Sequence, residues 1–431
     1  MHGKTIAEKI LSRSAGRSLS AGELAICLPD LVMGTDGSIP MALDYLEAMR
    51  PGAAPRYPER LVFALDHYGP SSGAKALALQ QRARAYANAH DIQVIEAGAG
   101  IGHQCILESG AAIPGRLMVG ADSHSTTYGA ANTFATGIGS SDLAGAMLCG
   151  KVWLKVPQTM AISFTGALAA GVSAKDVALA LARLIGADGA AYMAIEFLGD
   201  GVIGLDMDDR IVLSNMAVEL GAKAGIFPCD EITRRWLASL PGSKTDVSPV
   251  APDEDAVYAH RVSLDLATVR AQVAVPHRVD NVVDIDSLPE TPVGMVYLGT
   301  CTGGRIKDYR EALEALELCG GVANGVRLVV TPASESIRSE MASSGMLAAF
   351  TALGAEIQAP GCGSCCGTCG TVPRDGEVVL STANRNFKGR MGHAGASIFL
   401  ASPRSCGAAA GTGYFGSLKT SAGRDADGMG I

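Results

Sequence analysis

The chain has 431 residues, of which 48% are hydrophobic and 18% charged, and its formal net charge is -8. This composition excludes an intrinsically disordered chain, and the negative charge argues against a nucleic-acid-binding surface. The length is enough for several packed subdomains, and 53 glycines without a repeat period are typical of the strand-to-helix turns of an α/β enzyme.

The start of the chain predicts a short amphipathic helix, since it has no long apolar core of the kind found in a signal peptide. No segment of the sequence reaches the roughly 20 apolar residues needed to span a bilayer. The 11 cysteines, an odd number, are typical of thiols that stay reduced inside the cell. We therefore expect a soluble, cytoplasmic protein with no membrane partner.

In the first third of the chain, predicted strands alternate with helices, and three strand ends or turns carry a histidine. These are His67, His103 and His124, and two of them follow an aspartate, Asp66 or Asp122, by one or two positions. The carboxyl ends of strands in an open α/β sheet are where ligands bind. Taken singly, each histidine is more often a turn cap or a satisfied core residue. Three at equivalent positions favour imidazole-carboxylate pairs that act as general acids.

The middle third continues the alternation and contains a predicted helix over 209–221. Asn215 and Glu219 lie four residues apart and therefore share one face of it. Two interpretations stay open here: the pair orients a metal-bound ligand or another side chain, or it is a solvated polar stripe. A Gly-x-Gly at 137–139 lacks the rest of a nucleotide-binding motif, so we expect no nucleotide site. Polar composition and weak periodicity predict a linker over about 243–291.

The last third carries the cysteine cradle, residues 361–370 with the sequence GCGSCCGTCG. Its Cys-x-x-Cys pair, Cys362 and Cys365, is compatible with a redox dithiol, half of a zinc site or part of an iron-sulfur site. A further cysteine, Cys301, follows a predicted buried strand about sixty residues upstream. Because two strand-end loops can meet at one edge of a sheet, this third cysteine favours a metal cluster.

A polar segment after the cysteine cradle gathers Asn384, Arg385 and Arg390 behind a predicted strand. Arginine binds carboxylates and phosphates through two parallel hydrogen bonds. The segment therefore predicts a clamp for an anionic substrate, with ordinary surface charge as the alternative.

Together these segments resemble the aconitase family of iron-sulfur hydro-lyases, and the length is similar to that of the large subunit of its two-chain, 3-isopropylmalate dehydratase type. The resemblance covers nearly the whole chain. It implies an α/β fold of three α/β/α subdomains, over 1–130, 131–287 and 288–431, around a [4Fe-4S] cluster. On this resemblance we expect a chain without the swivel domain that full-length aconitases carry.

The resemblance also implies the roles of individual residues. One [4Fe-4S] cluster per subunit is expected on Cys301, Cys362 and Cys365, with one iron left free to act as a Lewis acid. The implied catalytic acids and their partners are Asp66, His67, His103, Asp122, His124 and Glu219. The implied substrate-binding residues are Ser123, Asn215, Asn384, Arg385 and Arg390.

The implied reaction is the isomerisation of 2-isopropylmalate to 3-isopropylmalate by dehydration and rehydration, a step of leucine biosynthesis. Homoaconitate, citraconate and 2,3-dimethylmalate are alternative substrates of the same class of small di- or tricarboxylates. A small swivel-domain subunit is expected as partner, because it would supply the base that removes the carbon-bound proton. Outside this class, a non-catalytic iron-sulfur sensor and a zinc-stabilised scaffold remain alternatives. The chain departs from the family pattern at Gly303, Cys366 and Cys369.

Overall fold

The computed structural model describes residues 3–69, 73–241 and 248–417, and its N-terminal part is built on a parallel sheet. In chain order its elements are α1 (Ile6–Ala15), β1 (Leu24–Cys27), β2 (Leu31–Thr35), α2 (Ile39–Met49), β3 (Leu61–Ala64), α3 (Ala74–Ala89), β4 (Gln93–Ile95), α4 (Gly102–Glu108), β5 (Leu117–Gly120), β6 (Phe134–Gly137), α5 (Ser140–Cys149) and β7 (Val152–Lys155). Five strands pair in parallel in the order β4-β3-β2-β5-β6, and β1 pairs with β7 in a separate antiparallel ribbon. Strands β2, β3 and β5 are buried along their whole length, as expected for a parallel sheet covered on both faces.

A second, four-stranded parallel sheet follows. Its elements are β8 (Thr159–Thr165), α6 (Ala174–Ile185), β9 (Ala194–Leu198), α7 (Met207–Met216), β10 (Ala224–Ile226), α8 (Glu231–Ser239) and β11 (His260–Asp265). The strands pair in the order β10-β9-β8-β11. Helix α7 is followed directly by a 3₁₀ turn, Ala217–Leu220, so the predicted helix over 209–221 changes its hydrogen bonding before it ends.

The third sheet has seven strands. The remaining elements are β12 (Gln272–Ala274), β13 (Val282–Asp284), β14 (Thr291–Pro292), β15 (Met295–Leu298), α9 (Thr300–Gly303), α10 (Ile306–Leu318), β16 (Arg327–Val330), α11 (Glu335–Ser343), α12 (Met346–Ala352), β17 (Glu356–Ile357), β18 (Val378–Ser381), β19 (Ser397–Ala401), α13 (Pro403–Thr412) and β20 (Tyr414–Phe415). The sheet order is β13-β12-β19-β18-β15-β16-β17, with β12 antiparallel to both neighbours and the rest parallel. The α/β class predicted from the sequence is therefore confirmed.

Sheet membership differs from the expected subdomain boundaries at both ends of the middle segment. Strand β6 lies beyond residue 130 but pairs within the first sheet, and β12 and β13 lie before residue 288 but pair within the third. The linker predicted over 243–291 was wrong in its described part, which contributes β11 to the second sheet and β12 and β13 to the third. β12 and β13 have only three residues each, which is too few to show a period, and β12 and β11 pair with strands that are distant in the sequence.

The three sheets are packed against one another through apolar side chains. One core cluster contains Ile162 and Phe197 of the second sheet together with Met295 and Val379 of the third. The core of the first sheet likewise reaches Ile226 of β10. The strand ends that carry the candidate site are therefore held in a fixed relation by contiguous cores. Within the described residues, no helix has the length and apolar character needed to cross a membrane.

A buried carboxyl group joins α1 to the second sheet and gives a pH-dependent contribution to stability. Glu196 on β9 accepts hydrogen bonds from the Ala7 amide (3.2 Å) and the Tyr258 hydroxyl (2.8 Å) and has no exposed surface. Burial raises the pKa of Glu196 to about 7. The folded chain therefore binds a proton more tightly than the unfolded chain, and stability is lost as pH rises from about 4.5 towards 7.

Glu196→Gln is expected to remove this loss, because glutamine keeps the shape and hydrogen bonds of the protonated acid. The free energy of unfolding of the native chain should fall by up to about 3 kcal/mol relative to the variant between pH 4.5 and 8. Urea unfolding of both proteins across this range measures the difference. Parallel pH profiles for the two proteins would contradict the prediction.

Candidate active site

The predicted site residues converge at the carboxyl ends of parallel strands from two sheets. Segments after β3, β4 and β5 bring in His67, His103 and His124, the loop after β15 brings Cys301, and the loop after β18 brings the arginines. Most of them line a partly open cavity of about 70 Å³. The lining residues are His67, Ile101, His103, Asp122, Ser123, His124, Thr300, Cys301, Cys362, Cys365, Cys366, Asn384, Arg385 and Arg390. A larger groove of about 520 Å³ opens beside it and shares only Ser123 with this set.

Asp122 is shared by all three histidines. One carboxylate oxygen accepts a hydrogen bond from Nε2 of His103 (2.8 Å) and one from the backbone N–H of His124 (2.8 Å). The other oxygen lies 3.4 Å from Nε2 of His67. Burial alone would raise the pKa of Asp122, but these hydrogen bonds outweigh it and hold the pKa well below its usual range. Asp122 is therefore a carboxylate at neutral pH.

His67 lies between two carboxylates. Its Nδ1 is 2.7 Å from Asp66, and the opposite ring nitrogen faces Asp122. Burial alone would lower the pKa of His67, but the charges and hydrogen bonds of both aspartates raise it well above its ordinary value. Asp66 is fixed in turn by the backbone N–H of Gly102 at 2.7 Å. His67 is thus an imidazolium at neutral pH and can donate a proton.

Glu219 joins the histidines to the arginine segment. Its Oε1 accepts hydrogen bonds from Nε2 of His124 and from Nε of Arg385, both at 2.8 Å. Arg385 also donates to Oγ of Ser123 at 3.0 Å. Burial would raise the pKa of Glu219, but His124 and Arg385 lower it below its usual value.

Asn215 and Glu219 both point into the protein. Asn215 donates to Oγ1 of Thr127 at 2.8 Å, and both side chains are buried. The solvated polar stripe considered from the sequence was therefore wrong. The signal that separates the two interpretations is burial, which the spacing of the two residues does not encode.

Two of the three predicted cluster cysteines, Cys301 and Cys365, contact Asn384. Its Nδ2 is 3.3 Å from Sγ of Cys301, and its Oδ1 is 3.8 Å from Sγ of Cys365. Cys362 accompanies them in the cavity lining, and its backbone N–H donates to the Asp66 carbonyl at 3.3 Å. The cysteines from two loops are therefore brought together beside the histidine-carboxylate pairs.

The cysteine cradle and Cys301 together fit a metal cluster. Burial raises the pKa of Cys301 to about 12, so this thiol loses its proton at neutral pH only when a cation takes up the charge. Arg390 places Nη2 3.4 Å from Sγ of Cys365, while its buried Nε has no hydrogen-bond partner within the described chain. A partly buried guanidinium that lies against sulfur and keeps one buried donor free fits an anionic group bound in the cavity.

The loop that carries Cys301 is packed tightly at Gly303. A Cβ at this position would lie 2.4 Å from Cβ and 2.6 Å from Oγ1 of Thr382. Thr382 cannot move freely, because its hydroxyl is hydrogen-bonded to both the N–H and the carbonyl of Gly299 at 3.0 Å. Glycine at position 303, where the chain departs from the family pattern, therefore allows a close contact between the loop that carries Cys301 and the segment after β18.

Gly303→Ala is expected to destabilise the protein by about 1–3 kcal/mol through overpacking and to lower its iron content by displacing Cys301. Gly145→Ala, in α5 with no atom within 4 Å of the added methyl, is the matched control and should be neutral or slightly stabilising. Thermal unfolding and iron analysis measure both effects. An unchanged unfolding temperature in Gly303→Ala would refute the close contact.

Two site residues were missed by sequence reasoning. Tyr128 is fully buried and its hydroxyl lies 3.0 Å from Nδ1 of His103, opposite Asp122. Asp36 accepts the backbone N–H groups of His67 (3.0 Å) and Tyr68 (3.1 Å) and so fixes the loop after β3. Asp36 follows β2 directly, so the strand-end rule that found the histidines would also have indicated it.

The fold and this arrangement of thiols, acids and cationic groups are those of a hydro-lyase. The sequence profile of the Aconitase family (aconitate hydratase) matches residues 8–413. The chain belongs to the aconitase family, whose enzymes use iron-sulfur clusters, and the resemblance read from the sequence is confirmed.

Relatives similar over almost their full lengths support this assignment. The chain is 44% identical to the homoaconitase large subunit of Thermus thermophilus, covering 96% of each chain. It is 41% identical to 3-isopropylmalate dehydratase large subunit 1 of Thermotoga maritima, covering 96% of this chain and 98% of the relative. Among solved structures, aconitase X of Thermococcus kodakaraensis has a similar fold, with a TM-score of 0.50 at 11% identity over 86% of this chain and 87% of the other.

Proposed function

We propose that the chain is the large subunit of a two-chain hydro-lyase that converts 2-isopropylmalate to 3-isopropylmalate through an unsaturated intermediate. The observation that carries the proposal is Asp122, which joins three histidines in a cavity that three cysteines and two arginines also line. Several relatives about 40% identical are named 3-isopropylmalate dehydratase large subunits, which supports this substrate.

Cys301, Cys362 and Cys365 would hold one [4Fe-4S] cluster per chain. When bound, such a cluster supplies a Lewis acid that makes a substrate hydroxyl a better leaving group. A pure sensor or a zinc scaffold has no use for the proton-donating and carboxylate-binding groups around it, so the geometry favours an enzyme over both alternatives.

The side chains of this subunit divide into two roles. Arg385 and Arg390 bind the substrate carboxylates, with Ser123 and Asn384 in the same cavity lining and Asn215 behind Asn384. The arginines so fix which face of the substrate meets the cysteine wall, which consists of Cys301, Cys362 and Cys365. A histidine paired with a carboxylate delivers a proton to the departing hydroxyl, which leaves as water. His67 is the group whose protonated state is best supported, since Asp66 and Asp122 raise its pKa.

Dehydration also removes a proton from the neighbouring carbon. In this proposal a partner chain supplies the base for that step. The relatives are named large subunits, which supports a small subunit as that partner. The large subunit alone is therefore expected to be inactive. The small subunit would also shape the pocket for the variable side chain of the substrate.

Homoaconitate is the second candidate substrate. Relatives named homoaconitase large subunits are 44% identical in Thermus thermophilus and 39% identical in Methanocaldococcus jannaschii. The chemistry of dehydration is the same for both substrates, so the side-chain pocket alone separates them.

The test is an anaerobic reconstitution of the chain followed by assay with its small subunit on 2-isopropylmalate and on homoaconitate. The proposal expects turnover of 2-isopropylmalate, measured by the absorbance of the unsaturated intermediate. Turnover of homoaconitate alone would move the assignment to the second candidate. His124→Ala should keep the cluster and lose turnover; loss of the cluster in this variant would make His124 a structural residue.

A further inference from the structure

Lys175 is a buried cation that no part of the proposed mechanism uses. It lies in the first turn of α6, in the second subdomain, and only 2% of its surface is exposed. Its ammonium group donates hydrogen bonds to the carbonyl oxygens of Ala383 (2.6 Å) and Thr382 (3.2 Å) and contacts Sδ of Met216 at 3.8 Å. Lys175 therefore reaches across a subdomain boundary to the back of the active-site wall.

The two carbonyl groups that Lys175 binds lie directly before Asn384 and Arg385. The Thr382 carbonyl also accepts a hydrogen bond from Oγ1 of Thr302, at 2.8 Å, one residue after Cys301. The ammonium group is thus connected through one carbonyl to the loop that carries Cys301 and to the segment that carries Asn384 and Arg385.

Lys175 makes no direct ion pair. Among the described residues, no carboxylate oxygen lies within 4.0 Å of its Nζ. Four acidic side chains, Asp208, Asp209, Asp308 and Glu311, line a small cavity with Lys175. That group already has cations of its own: Lys307 lies 2.7 Å from Asp209, and Arg305 lies 3.4 Å from Asp208.

A buried ammonium without an anionic partner is costly, so a compensating charge is expected nearby. Burial lowers the pKa of Lys175 to about 8, and the side chains that oppose this shift include Cys406, Cys301 and Glu219. Cys301 lines the candidate site, and Glu219 is hydrogen-bonded to its His124 and Arg385.

We propose that Lys175 is a positioning residue that balances the negative charge of the cluster and its thiolates from behind the cysteine wall, while holding the segment that carries Asn384 and Arg385. The inference rests on the proposed function, because the charge it balances is that of the bound cluster. A positive charge near a cluster favours the added electron and raises the reduction potential.

The test is a redox titration of the reconstituted chain, followed by the EPR signal of the reduced cluster. Lys175→Met removes the charge and the donor, and Lys175→Gln removes the charge but keeps a donor. Both are expected to shift the midpoint potential to more negative values. Lys388→Met removes a charge from an exposed position in the same loop and should leave the potential unchanged, because water and salt screen that charge.

An unchanged potential in Lys175→Met, at full cluster content, would overturn this inference and leave the proposed function standing. A native chain that takes up no cluster would overturn the proposed function as well. If Lys175→Met takes up no cluster, the unfolding of the cluster-free variant is compared with that of the cluster-free native chain. A chain that unfolds like the native one supports charge balance, and a chain that does not fold overturns it in favour of a purely structural lysine.

Discussion

Cys365→Ser is expected to abolish cluster binding. After anaerobic reconstitution the native chain should contain about four iron and four acid-labile sulfide per molecule, and the variant close to none. Serine is a poor ligand for iron, and the loss also leaves the guanidinium of Arg390 without the sulfur that lies 3.4 Å from it. Iron and sulfide analysis, with the visible absorbance of the cluster, measures the change.

Cys369→Ser is the matched control for this prediction. Cys369 lies in the same cysteine cradle and is similarly buried, but its thiol donates to the Gly363 carbonyl at 3.3 Å, a bond that serine can keep. This variant should retain the cluster. Zinc in the native chain, or retention by Cys365→Ser together with loss in Cys369→Ser, would show that the ligand set is a different one.

Asp122→Asn is expected to lower kcat by about 10²- to 10⁴-fold, the usual contribution of general acid catalysis, at native cluster content. An amide of the same shape can turn its NH₂ towards His103 and removes the negative charge beside His67. The pKa of His67 should then fall, so less of it is protonated at neutral pH. The rate on 2-isopropylmalate with the small subunit present, together with its pH profile, measures the effect.

Asp142→Asn is the control, since this carboxylate caps the start of α5 and lines only the neighbouring groove. Its kcat should stay near that of the native enzyme. If Asp122→Asn keeps the native kcat, Asp122 does not position the acid; if it loses the cluster, Asp122 supports the cysteine wall instead.

The sequence contained most of the chemistry of the site. Histidines and cysteines at the ends of apolar strands were recognisable because strand and helix periodicity are local properties, and parallel strands bring their carboxyl ends to one edge. The same rule left out Tyr128, which occurs inside a 3₁₀ segment with no strand end beside it. It also left out β12 and β13, which are three residues long: β12 pairs with β19, more than a hundred positions away, and β13 pairs with β12.

By itself the sequence determined the α/β class and the aconitase family, and it predicted which residues would hold a cluster, bind carboxylates and donate protons. Only the tertiary structure decided how these groups are shared. It gave one carboxylate, Asp122, to three histidines, placed Glu219 between His124 and Arg385, and set Lys175 behind the cysteine wall. The physical reason is that burial and hydrogen bonding join residues about 20 to 200 positions apart, and such contacts leave no mark in the local pattern of either partner.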